Sequence, residues 1–480
     1  MNDLDRLAAA CICPSFPGLE APRWILDWIE RGLGGICLFS HNVGDREQLA
    51  RLTAALRSAR PELLVGIDEE GGDVTRLEAD RGSSYPGHAA LGAVDDTNLT
   101  EQVAAAIGAD LVAVGVNLDF APVADINLNP DNPVIGIRSF GADRELVARH
   151  VAAFVSGLQG QGVAACAKHF PGHGSTEQDS HLELPVVTGD IRDGLLPFRA
   201  AVEAGVQSIM TAHILAPGLD ELPATLSPAV IGGLLRGELG FDGLVIADAL
   251  EMKAVSDTYG VERSAVLALS AGVDLLLIGH DLGEDAVGAV HAALLAAVAA
   301  GELDESRLRE AAGRVRKTGA WASHARPSVA VDRRAASAAA HRALQAEGDV
   351  ALTAPPLVVE LRPRANIAAG EASHSLGDVL ADRLPGTRTM VLEEGSADPA
   401  RVLGLRGARQ LVIVVRDAHR HGWMREATGS LLAGAPDAVV VELGLPLWYP
   451  DAARGYAAAL GGSRASYEAL ADRMLDGGAG

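Results

Sequence analysis

The stretch GVAACAKHFPGHGSTEQDSH, residues 162–181, joins an apolar run directly to a polar, glycine-containing segment. The run GVAACA has the length and composition of a buried strand, and charged residues begin immediately at its end. The segment from Lys168 to His181 contains a Lys, three His, an Asp, a Glu and two Gly. This combination predicts a strand that ends in a functional loop.

The same pattern recurs along the first two-thirds of the chain, where short apolar runs alternate with amphipathic helical segments such as REQLARLTAALRSA. Charged or polar residues follow several runs, as in Asp68, Asp125, Lys168, His213 and Asp248. These features predict a parallel (β/α)8 TIM-type barrel, whose active residues lie after the C-terminal ends of the strands. A doubly wound open sheet is the alternative, but no GxGxxG follows the first strand. Eight runs are predicted strands: 7–13, 35–39, 63–67, 116–120, 163–167, 206–211, 243–247 and 273–278.

A second domain is predicted after the barrel. The barrel pattern ends near the helical segment DESRLREAAGRVRKTGAW, and a stretch rich in Ala, Ser, Arg and Pro follows. Beyond it, LVVEL, TMVLE, QLVIVV and AVVVEL indicate strands separated by helices. We therefore expect a barrel over residues 1–322, a linker over 323–335, and a smaller α/β (αβα sandwich) domain with a parallel or mixed sheet over 336–480.

Composition excludes several classes of function. The formal net charge is −23 and no run of basic residues occurs, which argues against a nucleic-acid partner. No uncharged apolar segment reaches 18 residues, so no membrane span is expected. The four Cys lie in apolar stretches without a CxxC pair, which indicates buried thiols in a reducing compartment. The segment LAAAC lacks a positively charged region before it, so we expect a cytoplasmic protein rather than an exported one.

Asp179 and His181 are a candidate catalytic pair. They lie two positions apart, and such a carboxylate can hold an imidazole in one tautomer and stabilise its charged form. The alternative is a loop stabilised by a local hydrogen bond. His169 and His173 raise the possibility of a metal site, but Pro171 and two glycines exclude the helix that an HExxH arrangement needs. We therefore predict no metal and no cofactor.

Asp248 is the candidate nucleophile. It emerges directly from the apolar run GLVIA, where a carboxylate is costly to desolvate unless it points into a polar pocket. The alternative is a helix N-cap. In DEEGGD, the Gly-Gly turn is expected to aim Asp68 at a sugar hydroxyl while the other carboxylates face water. Lys168 and Arg138 are either structural ion-pair partners or donors to a hydroxyl-rich ligand.

These motifs resemble glycoside hydrolase family 3, in its β-N-acetylglucosaminidase branch. The resemblance implies a retaining β-N-acetylglucosaminidase (β-N-acetylhexosaminidase) that acts on a small glycoside or oligosaccharide. It implies Asp248 as the nucleophile, His181 as the general acid/base and Asp179 as its partner. It also implies that Asp68, Arg138, Lys168 and His169 bind the non-reducing N-acetylglucosamine. The motifs, in order over residues 66–252, are GIDEEGGDVTRL, NLDFAPVADI, IGIRSFG, KHFPGHGSTEQDSHLELP, SIMTAHI and VIADALEM.

Two residues depart from the family's pattern. Ser175 stands where many relatives have Asp, and Glu69 stands where Gln is common. Neither belongs to the proposed catalytic set. Two alternatives remain open: a phosphorylase that uses the same site with phosphate as acceptor, and a non-catalytic sugar-binding protein.

Overall fold

The computed structural model describes residues 3–279, 282–363 and 374–476. The chain forms two compact units. The first, here called the barrel unit, comprises Met1–Glu70, Thr100–Ile135 and Gly141–Asp332. The second, here called the C-terminal unit, comprises Gly71–Leu99, Gly136–Phe140 and Arg333–Gly480. Two segments from the first third of the sequence therefore belong to the second unit, and the contiguous domain boundaries given above stay predictions.

The barrel unit contains a sheet of eight parallel strands. Their order in the sheet is β1-β8-β7-β6-β5-β4-β3-β2. Between the two end strands, the amide of Gly34 donates to the carbonyl oxygen of Ile12 at 3.2 Å, so the sheet is nearly closed. This confirms the predicted (β/α)8 barrel. The strands are β1 (Ile12–Pro14), β2 (Gly35–Leu38), β3 (Leu64–Ile67), β4 (Leu118–Asp119), β5 (Ala164–Phe170), β6 (Ser208–Thr211), β7 (Leu244–Ala247) and β8 (Leu275–Ile278).

Helices connect the strands, and aspartate caps fix where some of them begin. The side chains of Asp45 and Asp143 accept hydrogen bonds from backbone N–H groups in the first turns of α3 and α6. The α-helices are, in chain order, α1 (Asp3–Ala9), α2 (Arg23–Glu30), α3 (Arg46–Ser58), α4 (His88–Val94), α5 (Thr97–Ala113), α6 (Arg144–Gln159), α7 (Leu196–Glu203), α8 (Lys253–Tyr259), α9 (Val261–Ala271), α10 (Glu284–Ala299), α11 (Glu305–His324), α12 (Arg334–Ala343), α13 (Leu376–Arg383), α14 (Pro399–Arg406), α15 (Gly422–Gly434) and α16 (Arg464–Leu475).

The prediction of a strand from Leu7 to Cys13 was wrong in its first half. Residues up to Ala9 belong to α1, and β1 begins only at Ile12. Leu7, Ala8 and Ala9 are buried as the inner face of that helix. A short apolar run is compatible with either element, so its composition alone does not decide between them.

The interior of the barrel is packed with apolar side chains. Cys13, Cys37 and Cys166 lie there with larger residues such as Phe120 and Met210. All four cysteines of the chain are buried. The prediction of buried thiols is confirmed.

The C-terminal unit contains a mixed sheet of six strands in the order β11-β10-β12-β13-β14-β9, in which β9 alone is antiparallel. The four strands predicted in this region are confirmed, and β9 and β14 were missed. The strand β9 is polar and largely exposed, and β14 is the short sequence GYAA. The strands are β9 (Gln345–Gly348), β10 (Leu357–Arg362), β11 (Arg388–Glu393), β12 (Leu411–Val415), β13 (Val439–Glu442) and β14 (Gly455–Ala458).

Ion pairs inside the C-terminal unit hold its early segment, Gly71–Leu99. Asp73 pairs with Arg416, and Glu78 Oε1 lies 3.0 Å from Arg464 Nη2. Tyr85 accepts a hydrogen bond from Arg333 at 3.3 Å. Across the described ranges of both units, no helix is long and apolar enough to cross a membrane.

Candidate active site

Lys168 lies on a strand and forms ion pairs inside the barrel unit. The strand β5 continues through Lys168 and His169 to Phe170, beyond its predicted end. The Lys168 side chain is 2% exposed, and its Nζ lies 2.7 Å from both Asp68 Oδ1 and Glu70 Oε1. Burial of this charge is possible because two carboxylates offset it. The ion-pair alternative for Lys168 is therefore correct, and a contact with sugar stays a prediction.

The acidic loop after β3 contains the expected Gly-Gly turn, but two of its carboxylates are buried rather than exposed to water. Gly71 and Gly72 both have positive φ values, of 76° and 62°, which a tight turn requires and glycine tolerates. Glu69 and Glu70 do not face water, since they are 2% and 1% exposed. Glu70 is buried because it pairs with Lys168, whereas Asp68 is the more exposed carboxylate at 19%.

Asp125 holds His169 in place, a role that the sequence did not reveal. Its Oδ2 lies 2.7 Å from His169 Nδ1, and its Oδ1 accepts from the backbone N–H of His173 at 2.7 Å. Burial alone would raise the pKa of Asp125, but the charges and hydrogen bonds of His169 and His173 outweigh it and hold the pKa below its usual value. A carboxylate on Nδ1 leaves Nε2 of His169 as the nitrogen available to a ligand.

The loop after β5 is anchored at several points. The amide of Asn132 donates to the carbonyl oxygens of His173 and Thr176, at 2.9 and 3.0 Å. Gly174 lies so close to Ile126 that a Cβ would come within 1.8 Å of its carbonyl oxygen, so only glycine fits there. Both ring nitrogens of His173 have hydroxyl partners, which makes it a structural residue.

Asp179 and His181 form the predicted hydrogen-bonded pair within this loop. His181 Nδ1 lies 2.7 Å from Asp179 Oδ1, and the two side chains are 25% and 13% exposed. Burial would raise the pKa of Asp179, but the hydrogen bonds from the ring and backbone of His181 lower it overall. The carboxylate therefore stays ionised and fixes the ring so that Nε2 is the nitrogen left for chemistry.

Asp248 follows β7 and is partly buried. It does not cap a helix, because its Oδ1 accepts from the N–H of the adjacent Ala249 at 2.8 Å and α8 begins only at Lys253. Burial would raise its pKa, but the charges that three imidazoles in the barrel unit carry when protonated outweigh this effect and lower the pKa overall. Those imidazoles belong to His213, His169 and His181. An ionised carboxylate is suited to nucleophilic attack on an electrophilic carbon.

The structure does not bring every predicted residue together in one unit. Asp68, Lys168, His169, Asp179, His181 and Asp248 all belong to the barrel unit. Arg138 is buried in a 3-10 turn, Gly136–Arg138, of the C-terminal unit. Its part in sugar binding stays a prediction. Among the residues the structure describes, no group of three or more His, Cys, Asp or Glu is arranged to hold a metal ion.

Comparisons with known proteins identify relatives of this chain. The family described as "Glycosyl hydrolase family 3 N terminal domain" matches residues 21–318. The chain is 35% identical to beta-hexosaminidase A of Pseudoalteromonas piscicida over 66% of its own length, but it spans only 58% of that protein. It is 37% identical to the beta-hexosaminidase of Stenotrophomonas maltophilia (strain K279a), over 60% of this chain and 90% of that one.

A solved structure is similar over nearly the whole chain. It is a glycoside hydrolase family 3 beta-N-acetylglucosaminidase from Paenibacillus sp. str. FPU-7, with a TM-score of 0.88 and 35% identity. The match covers 99% of this chain and 97% of that one. The similarity therefore includes both units and not the barrel alone.

Proposed function

The chain belongs to glycosyl hydrolase family 3, and from this we propose that it is a retaining β-N-acetylglucosaminidase. It removes terminal, non-reducing N-acetylglucosamine from a small glycoside or oligosaccharide. The observation that carries the proposal is the pairing of Asp179 with His181 in the same unit as an ionised Asp248. The activities named for its relatives support the choice of sugar.

The first step forms a covalent glycosyl-enzyme. An oxygen of Asp248 attacks the anomeric carbon as the bond to the leaving oxygen breaks, and His181 gives its Nε2 proton to that oxygen. The carboxylate thereby loses its charge in the ester. Asp179 keeps its own charge and stabilises the imidazolium before the proton leaves.

The second step returns the enzyme to its starting state. Neutral His181 accepts a proton from water through Nε2, and that water attacks the anomeric carbon. The bond to Asp248 breaks and the carboxylate is regenerated, so the sugar leaves with its original anomeric configuration. General acid/base help of this kind is worth roughly 10²–10⁴ in rate.

We assign the remaining residues to sugar binding. Asp68 accepts from a sugar hydroxyl, since it is the more exposed of the two carboxylates on Lys168. His169 offers Nε2, because Asp125 occupies Nδ1. Lys168 and Arg138 supply positive donors. We also propose a reducing, cytoplasmic location, which the burial of all four cysteines supports.

The test uses a chromogenic β-N-acetylglucosaminide and the variant Asp248→Ala. The purified protein should release the chromophore, and the variant should lose this activity. Azide should restore it in part and give a product of inverted configuration. The matched control is Asp257→Ala, which removes an exposed carboxylate on α8 and should change kcat and KM by less than about twofold. Sugar binding without turnover by the wild type would favour the non-catalytic alternative.

Phosphate is a second candidate acceptor of the sugar. The reason is that the proposed acid/base group is an imidazole and not a carboxylate. An imidazole does not repel an incoming anion as a second carboxylate would. Product analysis in water and in millimolar phosphate separates the two reactions. Free N-acetylglucosamine under both conditions supports the hydrolase, whereas a sugar 1-phosphate as the main product establishes a phosphorylase.

A further inference from the structure

His213 is a buried imidazole to which the mechanism above gives no task. It lies two residues beyond the end of β6 and is 0% exposed. Its Nε2 lies 3.0 Å from the carbonyl oxygen of Ala249, and its Nδ1 lies 2.9 Å from Thr225 Oγ1. Ala249 is the residue whose N–H donates to Asp248. The ring therefore contacts the backbone immediately next to the nucleophile.

The hydrogen bonds determine which ring nitrogen carries the proton. A carbonyl oxygen can only accept, so Nε2 of His213 must be the donor. Thr225 Oγ1 lies 2.9 Å from both Nδ1 and the carbonyl oxygen of Ala212, and its single proton can go to only one of them. In a neutral ring that proton goes to Nδ1, which accepts it. The Thr225 oxygen can in turn accept from the Thr211 hydroxyl, which lies 2.9 Å away. In this series of hydrogen bonds, both ring nitrogens have partners and the imidazole carries no charge.

Burial favours the neutral ring. It lowers the pKa of His213, although the charge of Asp248 and the hydrogen bond to Ala249 oppose the shift. The charged groups that act on the ring come from two other elements: Asp248 after β7, and His181 in the loop after β5. The proximity of His181 further disfavours a second positive charge at His213.

The charge state of His213 matters because Asp248 changes charge during the reaction. The carboxylate is negative before attack and neutral in the ester. A cation beside it would stabilise the charged starting state more than the ester and would raise the barrier to attack. A neutral donor can hold the backbone without this penalty.

We propose that His213 is a positioning residue for Asp248. It donates as a neutral imidazole from Nε2 to the Ala249 carbonyl and so fixes the backbone from which the nucleophile projects. The inference rests on the proposed role of Asp248. It also makes Thr225 a positioning residue, because Thr225 orients the His213 ring.

The first experiment compares His213→Leu with His213→Gln. The glycosylation rate constant is measured from the burst of chromophore released from an activated aryl N-acetylglucosaminide. His213→Leu has no donor for Ala249, so we expect a loss of about 10- to 100-fold with KM within about threefold. His213→Gln keeps an N–H donor near the position of Nε2 and should recover most of the loss. A full rate in His213→Leu, or equal losses in both variants, overturns the proposal.

Thr225 provides a milder pair of variants in case His213→Leu does not fold. Thr225→Val removes the hydroxyl on Nδ1 and should slow glycosylation by about 3- to 10-fold. Thr225→Ser keeps the hydroxyl and should recover the rate. An unchanged rate in Thr225→Val contradicts the inference.

The matched control is His150→Gln. His150 is equally buried and also lies against a threonine hydroxyl, 2.8 Å from Thr100 Oγ1, but it belongs to α6. This variant should retain kcat and KM within about twofold, because His150 has no contact with Ala249 among those described. A loss of rate in the His213 variants alone then reflects the contact of His213 with Ala249 rather than the loss of a buried imidazole.

Nitrogen-15 NMR of the imidazoles reads the protonation state directly. The His213 signals are assigned by their disappearance in His213→Gln, and they should show a neutral ring with hydrogen on Nε2 at pH 7 to 8. A doubly protonated ring at pH 7 overturns the proposal. Azide rescue of Asp248→Ala keeps the two claims apart. Without rescue the role of Asp248 fails first, whereas rescue together with a full rate in His213→Leu contradicts only the role of His213.

Discussion

One oxygen of Asp179 serves His181 twice: Oδ1 lies 2.7 Å from the ring Nδ1 and accepts from the backbone N–H of His181 at 2.9 Å. The backbone contact fixes the carboxylate relative to the residue that it orients. The ring therefore cannot rotate without breaking a hydrogen bond to an ionised group, and such bonds are stronger than neutral ones.

Asp179→Asn should lower kcat by about 10²–10⁴ while the protein stays folded. The amide can donate to Nδ1 and so place the proton on Nε2, which removes the base needed for the second step. An activated aryl substrate needs little protonation, so the glycosyl-enzyme should accumulate and give a burst in stopped-flow measurements. Asp190→Asn is the control, because Asp190 is an exposed cap whose contact with the Arg192 amide Asn can replace. A kcat within twofold of the wild type in Asp179→Asn is incompatible with the pair.

Lys168→Met should raise KM and lower the free energy of unfolding by about 3–5 kcal/mol, because it removes the cation that lies 2.7 Å from the buried Glu70. Urea denaturation measures the second effect. Lys317→Met removes an exposed lysine of α11 and should cost less than about 0.5 kcal/mol. Equal stabilities of the two variants would show that the pair contributes nothing.

Asp274 should be a stability residue without a role in catalysis. It is fully buried, and its carboxylate contacts Arg236 at 2.7 Å, Arg314 at 3.4 Å, and Arg307. It precedes β8, whereas the catalytic residues follow their strands. Asp274→Asn should cost about 3–5 kcal/mol in thermal or urea unfolding and leave kcat unchanged.

Asp242→Asn is the matched control for that substitution. Asp242 contacts the same Arg314, at 3.1 Å, but it is exposed, so its loss should cost at most about 1 kcal/mol. A large loss of kcat in folded Asp274→Asn would contradict the separation of stability from catalysis.

Asp125 should make the free energy of unfolding depend on pH in the acid range. Its pKa is lowered in the folded protein, whereas an unfolded Asp titrates near about 3.9. The stabilisation is therefore complete above roughly pH 5 and is lost as pH falls through the folded-state pKa. Asp125→Asn should be less stable at pH 7 and should show a weaker fall in unfolding free energy from pH 5 to 3. Asp257→Asn should keep the wild-type dependence, and a parallel curve for Asp125→Asn would exclude the contribution.

The sequence predicted the barrel because each buried strand is a short apolar run. It failed where that rule is ambiguous. The run at Leu7 is helical, and β5 continues through Lys168 because Asp68 and Glu70 neutralise a charge that looked like the end of a strand. Pairing between residues so far apart cannot be inferred from the apolar pattern.

The candidate site was predictable only where its partners are close in sequence. Asp179 and His181 are two residues apart, and the structure confirms their hydrogen bond. Asp125 lies 44 residues from His169, and His213 lies 36 residues from Ala249, so neither partnership was visible. The only available signal was their shared position just after a strand.

Because Gly71–Leu99 belongs to the C-terminal unit, it is synthesised long before the residues that it contacts there. Asp73 is synthesised 343 residues before Arg416, its partner in that unit. At ~5–20 residues per second, this early segment waits about 17–70 s on the ribosome before its partner is made. Five barrel strands, β4 to β8, are translated during that interval, since they lie between Leu118 and Ile278. A segment made early is thus among the last to reach its final contacts.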